Sequence, residues 1–311
     1  MIKYLKHEEI DTEKWDQCID QSVNGILYAY SWYLDLVHSS WEALVENNYE
    51  RVMPLTAGRK LGIDYLYQPP FTQQLGIFST SQLSDAVIED FMKVIPAKFK
   101  FIEINLNTHN KFRDNVPGYH PWLTHEQDLI SPYESIRANY SSNLKRNLKK
   151  AEQAKISIAE NIKPDEIISI FKKNRGKLLP GMKDENYDLL RRIIYVLIYK
   201  RMAYVVGAYT ETNNLCAGAF FVYSKKKAIF YFSATDETAK ATGAMSLLID
   251  HFIRKHANTH TTLDFEGSND PSLARFYKSF GASEVTYPHI KINRLNPFIS
   301  LGVELVKRLR F

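Results

Sequence analysis

The chain has 311 residues, about twice the ~150 that serve as a soft prior for one domain, so two lobes of similar size are expected. With 45% hydrophobic and 13% aromatic residues against only 13 Gly and 12 Pro, it cannot be a low-complexity, collagenous or disordered polymer. The net charge of +5, from 40 basic and 35 acidic residues, suits an anionic cofactor or a nucleic-acid partner without requiring either.

The first lobe reads as helices, a hairpin, a helix and a strand. Asp11 to Ser22 predicts a short helix opened by Asp11 or Thr12, and Ser31 to Ser39 a second with Ser31 as N-cap. Trp41–Val45 and Arg51–Leu55 flank Asn47-Asn48, a pair that tolerates turn geometry, and so predict a hairpin. Gln68-Pro69-Pro70-Phe71 cannot be helical, because each proline removes an N–H donor and restricts the residue before it. Ser81 to Val94 carries Leu83, Val87, Phe91 and Val94 at helical spacing, and Phe101 to Asn105 has the makeup of a strand.

A basic helical stretch, Ile136 to Ala151, is expected to join the lobes, with Tyr140, Leu144, Leu148 and Ala151 as its apolar stripe. Lys145 and Lys149, like Arg146 and Lys150, are four apart and project as two cationic ridges; these ridges suit either solvent or an anionic partner. The expected division is therefore 1–132, a junction helix at 133–155, and 156–311.

The second lobe opens with helices at Lys163–Lys173 and Asp184–Lys200. Strands at Ala203–Tyr209, Leu215–Tyr223 and Ala228–Ser233 follow, with turns short enough for an antiparallel meander. A helix around Gly243–His256, a strand Thr262–Glu266, a helix around Pro271–Phe280 and a strand near Val285–Ile292 complete it. Between the third strand and the first of these helices, Thr235 to Ala244 reads as a small-residue loop. Backbone N–H groups at the entry to the helix would suit a pyrophosphate, or the small residues serve packing alone.

Other chemistries find little support. Cys18 and Cys216 lie far apart and the nine histidines form no dense motif, so no disulfide framework, metal site or Cys–His nucleophile is expected. The N-terminus turns charged at once, and the longest apolar run, Ile193 to Tyr199, is far short of the ~20 residues of a membrane span, so a soluble cytoplasmic protein is expected. Leu301 to Arg310 is a short basic amphipathic stretch that suits helix docking, a frayed tail or weak contact with a membrane surface.

The segment Asp264-Phe265-Glu266-Gly267-Ser268, followed by Ala274-Arg275-Phe276-Tyr277 and Phe280-Gly281-Ala282, resembles the closing half of the GNAT acyltransferase fold and, within it, the FemAB-like branch with tandem GNAT domains. Ser142 to Ala151 resembles that branch's basic helix, while Tyr28 to Tyr33 and Gln68 to Gly76 resemble its first-lobe segments, so the resemblance covers nearly the whole chain. It implies an α/β (α+β) fold of two GNAT-like domains, each a mixed, largely antiparallel sheet flanked by helices. It also implies a donor held by Ser233, Ala234, Thr235, Gly243, Ala244 and Asp270, and Tyr277 as the acid that protonates the leaving thiolate. Two positions depart from the GNAT pattern. Lys240-Ala241-Thr242-Gly243-Ala244-Met245 displaces the second small residue of Gln/Arg-x-x-Gly-x-Gly/Ala, and Asp270 stands where Asn is usual.

Asp264 and Glu266, two apart at a strand end, point to one face, where a carboxylate would hold or deprotonate an amine, or else cap a helix or pair with an arginine. The leading expectation is an N-acyltransferase that moves an acyl group from acyl-coenzyme A to an amine on a small molecule or peptide, without a metal. A Fem-like aminoacyl-tRNA-dependent peptidyltransferase, docking tRNA at Lys145, Arg146, Lys149 and Lys150, is the alternative. A binding protein that kept the fold and lost catalysis is the third.

Overall fold

A computed structural model describes residues 1–112, 117–179 and 181–295. Contacts divide the chain into two units, Met1–Trp122 with the residues after Val285, and Leu123–Val285. This differs from the expected lobes. The basic helix lies inside the second unit rather than at a junction, and the last strand contributes its residues from Thr286 onward to the first unit.

The first unit runs β1 (Ile2–Leu5), α1 (Thr12–Gln21), α2 (Ser31–Val37), β2 (Glu42–Glu46), β3 (Arg51–Leu55), β4 (Ala57–Lys60), β5 (Ile63–Tyr67), β6 (Phe78–Ser79), α3 (Asp85–Lys93) and β7 (Phe99–Asn105). Asp11 caps α1 by accepting the N–H of Lys14 at 3.1 Å. Ser31 is not the N-cap of α2, which is Tyr30. Instead Asp16 of α1 accepts both the N–H and the hydroxyl of Ser31, at 2.7 and 2.8 Å, satisfying a first-turn donor from outside the helix. Helix α3 starts later than Ser81, where the Ser84 hydroxyl caps Val87.

β1, β2, β3 and β6 form one antiparallel sheet. In the unit's other sheet β5 pairs with β4 in an antiparallel hairpin and with β7 in parallel, Leu66 facing Ile102. The β4–β5 hairpin is absent from the sequence reading because its turn, Leu61-Gly62, separates strands without clean alternation. Leu44, Met53, Leu66, Phe91, Ile102 and Ile104 belong to one buried cluster.

After β8 (Tyr119–Asp128), the second unit runs α4 (Tyr133–Ala138), α5 (Ser142–Gln153), β9 (Ser157–Glu160), α6 (Pro164–Lys173), α7 (Asp184–Tyr199), β10 (Ala203–Tyr209), β11 (Leu215–Ser224), β12 (Lys227–Thr235), α8 (Glu237–Thr242), α9 (Ala244–His256), β13 (Thr262–Asp264) and α10 (Pro271–Lys278). The basic stretch is thus two helices, broken where the Ser141 hydroxyl accepts the N–H of Leu144 at 3.2 Å and starts α5. The last strand is β14 (Ser283–Asn293), whose Ile290 faces Ile104 of β7.

Within this unit the strand order is β8-β13-β12-β11-β10-β9, antiparallel throughout except for β12 against β13. The expected meander is present as β10 to β12. Its core gathers Leu144 and Leu148 of α5, Phe221, Phe230, Phe252, Phe265, Tyr277 and Phe280. Phe221 stacks on Phe252 of α9 at 3.9 Å, and Ile167 of α6 lies against Gly218 of β11, where a side chain would collide at 2.5 Å. Among the described residues no helix is long and apolar enough to cross a membrane. The C-terminal stretch Leu301–Arg310 lies outside the described residues.

Candidate active site

The parallel pair β12 and β13 holds together for three residues only, Lys227 to Ile229 against Thr262 to Asp264. Beyond that point β12 runs on to Thr235 while β13 has ended, so the backbone of residues 230–235 has no strand on that side. β12 also carries a bulge. Phe232 faces Phe220 and Phe230 faces Phe221, which leaves Tyr231 as an extra residue and turns the strand's second half. The end of β13 follows from local sequence, since Glu266, with φ +52°, and Gly267, with φ +60°, bend the chain away after it.

The gap opens into a cavity of about 860 Å³, within the range of small-ligand sites. Phe230, Ser233, Ala234 and Thr235 of β12 form one wall, and Leu273, Phe276 and Tyr277 of α10 another. Lys173, Arg175 and Lys177, at and beyond the end of α6, also line it, as does Lys240 of α8. Lys240 is held by Glu237 at 2.7 Å, whereas no acidic side chain among the described residues pairs with Lys173, Arg175 or Lys177. The lining therefore combines cationic and aromatic side chains, a set that fits a phosphate-bearing ligand with an apolar arm.

Tyr277 stacks on Phe265 at 4.8 Å and meets Phe230 edge-on at 6.2 Å, so its ring is fixed by packing. Its hydroxyl makes no hydrogen bond among the described residues. Burial, reinforced by the charges of Glu266 and Asp270, raises its pKa well above the ordinary tyrosine value. The phenol thus stays protonated at neutral pH, able to give a proton and unfit to take one.

The other sequence candidates part company. Ser233, Ala234, Thr235 and Gly243 line the cavity with Tyr277. Ala244 is buried at the start of α9, beside the lining residues Met245 and Ser246. Asp270 is the N-cap of α10, where it accepts the N–H groups of Ser272 and Leu273 at 2.8 and 3.2 Å. Asp264 is wholly buried and does not line the cavity. It accepts the Thr124 hydroxyl at 2.5 Å and lies 3.4 Å from Lys227, which in turn contacts Glu126. Glu266 is half-buried and, like Asp264, is not among the residues lining the cavity, although its charge helps to raise the Tyr277 pKa. The strand end therefore separates the two carboxylates: one is anchored in a buried polar cluster and one stands by the phenol.

The stretch read as a small-residue loop is mostly helix. Asp236 accepts the N–H of Ala239 at 2.8 Å and starts α8, and Gly243, at φ +77°, ends it and opens α9 in the same residue. A Cβ on Gly243 would sit 2.7 Å from the carbonyl oxygen of Asn147 in α5, so this glycine admits the close approach of a neighbouring helix. The cationic wall at 173–177 escaped the sequence reading, although the run Lys172-Lys173-Asn174-Arg175-Gly176-Lys177 past a helix end was visible there. Among the described residues no cluster of His, Cys, Asp and Glu is placed to hold a metal ion.

No protein-family model and no curated protein matches the sequence. Solved structures do. FemX is similar with a TM-score of 0.57 at 12% identity, over 92% of this chain and 97% of that one. A conserved protein of unknown function from Bacteroides thetaiotaomicron gives 0.56 at 10% identity, over 94% and 100%. L-PGS from Bacillus licheniformis gives 0.52 at 12% identity, over 96% of each chain. The diverging strands, the bulge just beyond their parting and these likenesses together show a GNAT/FemAB-like fold, FemX-like, with two GNAT-like halves.

Proposed function

We propose that the chain is an N-acyltransferase that moves an acyl group from acyl-coenzyme A to an amine in the second unit's cavity. The observation that carries this reading is the parting of β12 from β13 beyond Ile229 and Asp264, which leaves strand backbone without a strand neighbour in the cavity that Tyr277 also lines. The donor would supply an activated thioester carbonyl. Lys173, Arg175 and Lys177 would hold its phosphates, Phe230 and Phe276 would flank its apolar arm, and backbone N–H groups of residues 230–235 would steady the carbonyl oxygen. As the amine nitrogen bonds to the carbonyl carbon and the C–S bond breaks, Tyr277 gives its proton to the sulfur and the new amide loses one from nitrogen. Glu266, beside Tyr277, is the candidate to take that proton; the anchored Asp264 is not free to do so.

A second reading, the aminoacyl-tRNA-dependent transfer, draws on a different observation. Lys145, Arg146, Lys149 and Lys150 are all exposed on α5, and none pairs with an acid among the described residues. Lys145 and Lys149 also line a cleft with Arg137 and Arg254. Calorimetric titration with coenzyme A, acetyl-coenzyme A and a charged tRNA separates the two readings. Saturable coenzyme A binding that is lost in Arg175→Glu with Lys177→Glu supports the first, salt-sensitive tRNA binding alone supports the second, and no binding by either refutes both.

A further inference from the structure

The first unit has a cavity of its own, about 470 Å³, which shares no lining residue with the one described above. It follows from the pleat of β7. Ile102 and Ile104 are buried in the cluster that contains Phe91 of α3, so the intervening Phe101, Glu103 and Asn105 face the opposite side of the sheet and line the cavity. The remaining walls are aromatic. Tyr65 and Tyr67 of β5 lie with ring centres 5.6 Å apart, and the indole of Trp122 lies flat on the imidazole of His289 at 3.9 Å and 2°.

The hydrogen bonds around His289 fix where its proton sits. Asn105 gives its Nδ2 hydrogen to the carbonyl of Gln73 at 2.9 Å, which identifies its Oδ1 as the acceptor that faces His289 Nδ1 at 2.8 Å. His289 therefore carries hydrogen on Nδ1 and presents Nε2 as a lone pair. That lone pair stands 3.8 Å from the Glu103 carboxylate. Burial lowers the His289 pKa, and His120 and Lys291 act in the same direction against the opposing pull of Glu103, so the ring is neutral at neutral pH. Two acceptors thus converge in an aromatic chamber. A group with several N–H donors and a positive charge satisfies both acceptors at once, and the rings favour its charge.

We propose that this cavity binds a primary ammonium group on an apolar stem, donating N–H to His289 Nε2 and Glu103 while its stem and charge lie against Tyr65, Tyr67 and Phe101. Lys60 on the exposed rim is the single lysine or arginine among the lining residues, so an incoming cation meets little repulsion. The proposal requires no acyl donor, and its outcome is independent of the transferase reading.

The test titrates the full chain with n-pentylamine, 1-pentanol and tetramethylammonium, followed by calorimetry and by the imidazole nitrogen resonances of His289. The expected result is saturable binding of pentylamine, at least tenfold tighter than pentanol or tetramethylammonium, with a shift of the Nε2 resonance. Glu103→Gln, at a position with a partly exposed side chain, should weaken pentylamine at least tenfold and leave pentanol unchanged. Equal affinities for amine and alcohol, an unmoved Nε2 resonance, or full amine affinity in Glu103→Gln would overturn the proposal. So would a large gain in affinity in Lys60→Met, which would show that the chain's own ammonium fills the chamber.

Discussion

Replacing Gly243 by alanine tests how the second unit brings α5, α8 and α9 together. Gly243 has φ +77°, and alanine in the left-handed region costs roughly 1–2 kcal/mol. Its new methyl would also lie 2.7 Å from the Asn147 carbonyl oxygen, a backbone atom that cannot swing aside, and overpacking of this kind costs about 1–3 kcal/mol. The stiffer unfolded chain returns roughly 0.4–1 kcal/mol, for a net loss of about 2–4 kcal/mol. At roughly 2–4 °C per kcal/mol for a unit of this size, the melting temperature should fall by about 5–15 °C in a calorimetric scan. Gly267→Ala supplies the internal comparison. Gly267 has φ +60°, but its nearest neighbour to an added Cβ is the Leu273 side chain at 3.6 Å, so only the backbone strain remains and the loss should be about 1 kcal/mol. Equal losses for the two alanines would refute the assignment of Gly243 to helix contact. Coenzyme A titration of Gly243→Ala below its melting range then asks separately whether the residue also serves the donor.

Tyr277→Phe keeps the ring stacking and removes a hydroxyl that makes no hydrogen bond among the described residues, so the melting temperature should hold while turnover falls about 10²-fold; full turnover would leave Tyr277 a packing residue. Asp264→Ala removes the acceptor of the Thr124 hydroxyl and one of the two carboxylates on the largely buried Lys227, leaving Glu126 as the other, and should cost about 3 kcal/mol in a denaturant titration, a loss of stability rather than of the chemical step. Reversing Lys145, Arg146, Lys149 and Lys150 to Glu should abolish tRNA retention in a filter-binding titration at low salt if tRNA docks on α5, and leave coenzyme A affinity unchanged. Acid should weaken the fold through His125, His256 and His289, each with a pKa lowered by burial. Below about pH 6.5 the unfolded chain binds protons that the folded chain refuses, so stability should drop by up to ~1.4 kcal/mol per pH unit for each histidine. His125, whose buried ring nitrogens make no hydrogen bond among the described residues and whose Nε2 lies 3.9 Å from Glu284, should show it most plainly: His125→Leu should flatten the slope by up to one proton in pH-dependent melts.

Periodicity made β10 to β12 legible almost residue for residue, because short turns and apolar runs are local properties. The same holds for α6, α7 and α9. Local chemistry that was present but underweighted explains the misplaced loop: Asp236 followed by Glu237, Ala239 and Lys240 is a capped helix start, yet the abundance of small residues suggested open backbone. Non-local pairing was out of reach. Nothing in residues 286–293 announces that they will pair with β7, almost two hundred positions earlier, so spacing alone does not say which unit they join. Of the site, the resemblance located Tyr277 and the end of β12, which the structure places around one cavity. Alternation put Asp264 and Glu266 on a shared face, but the left-handed turn at Glu266 and Gly267 separates them, and such a turn is not encoded in spacing.

The pairing of β14 with β7 also sets an order of events during synthesis. The ladders that join β8 through β13 are complete once Asp264 has been made, whereas β7 waits for residues that emerge only after Val285. At 5–20 residues per second the ribosome leaves that edge of the first unit without its partner for roughly 10–40 s. During that interval the apolar Ile102 and Ile104 and their backbone are available to any strand that passes, so the early half of the chain is the part that most needs a chaperone's protection, even though it is made first.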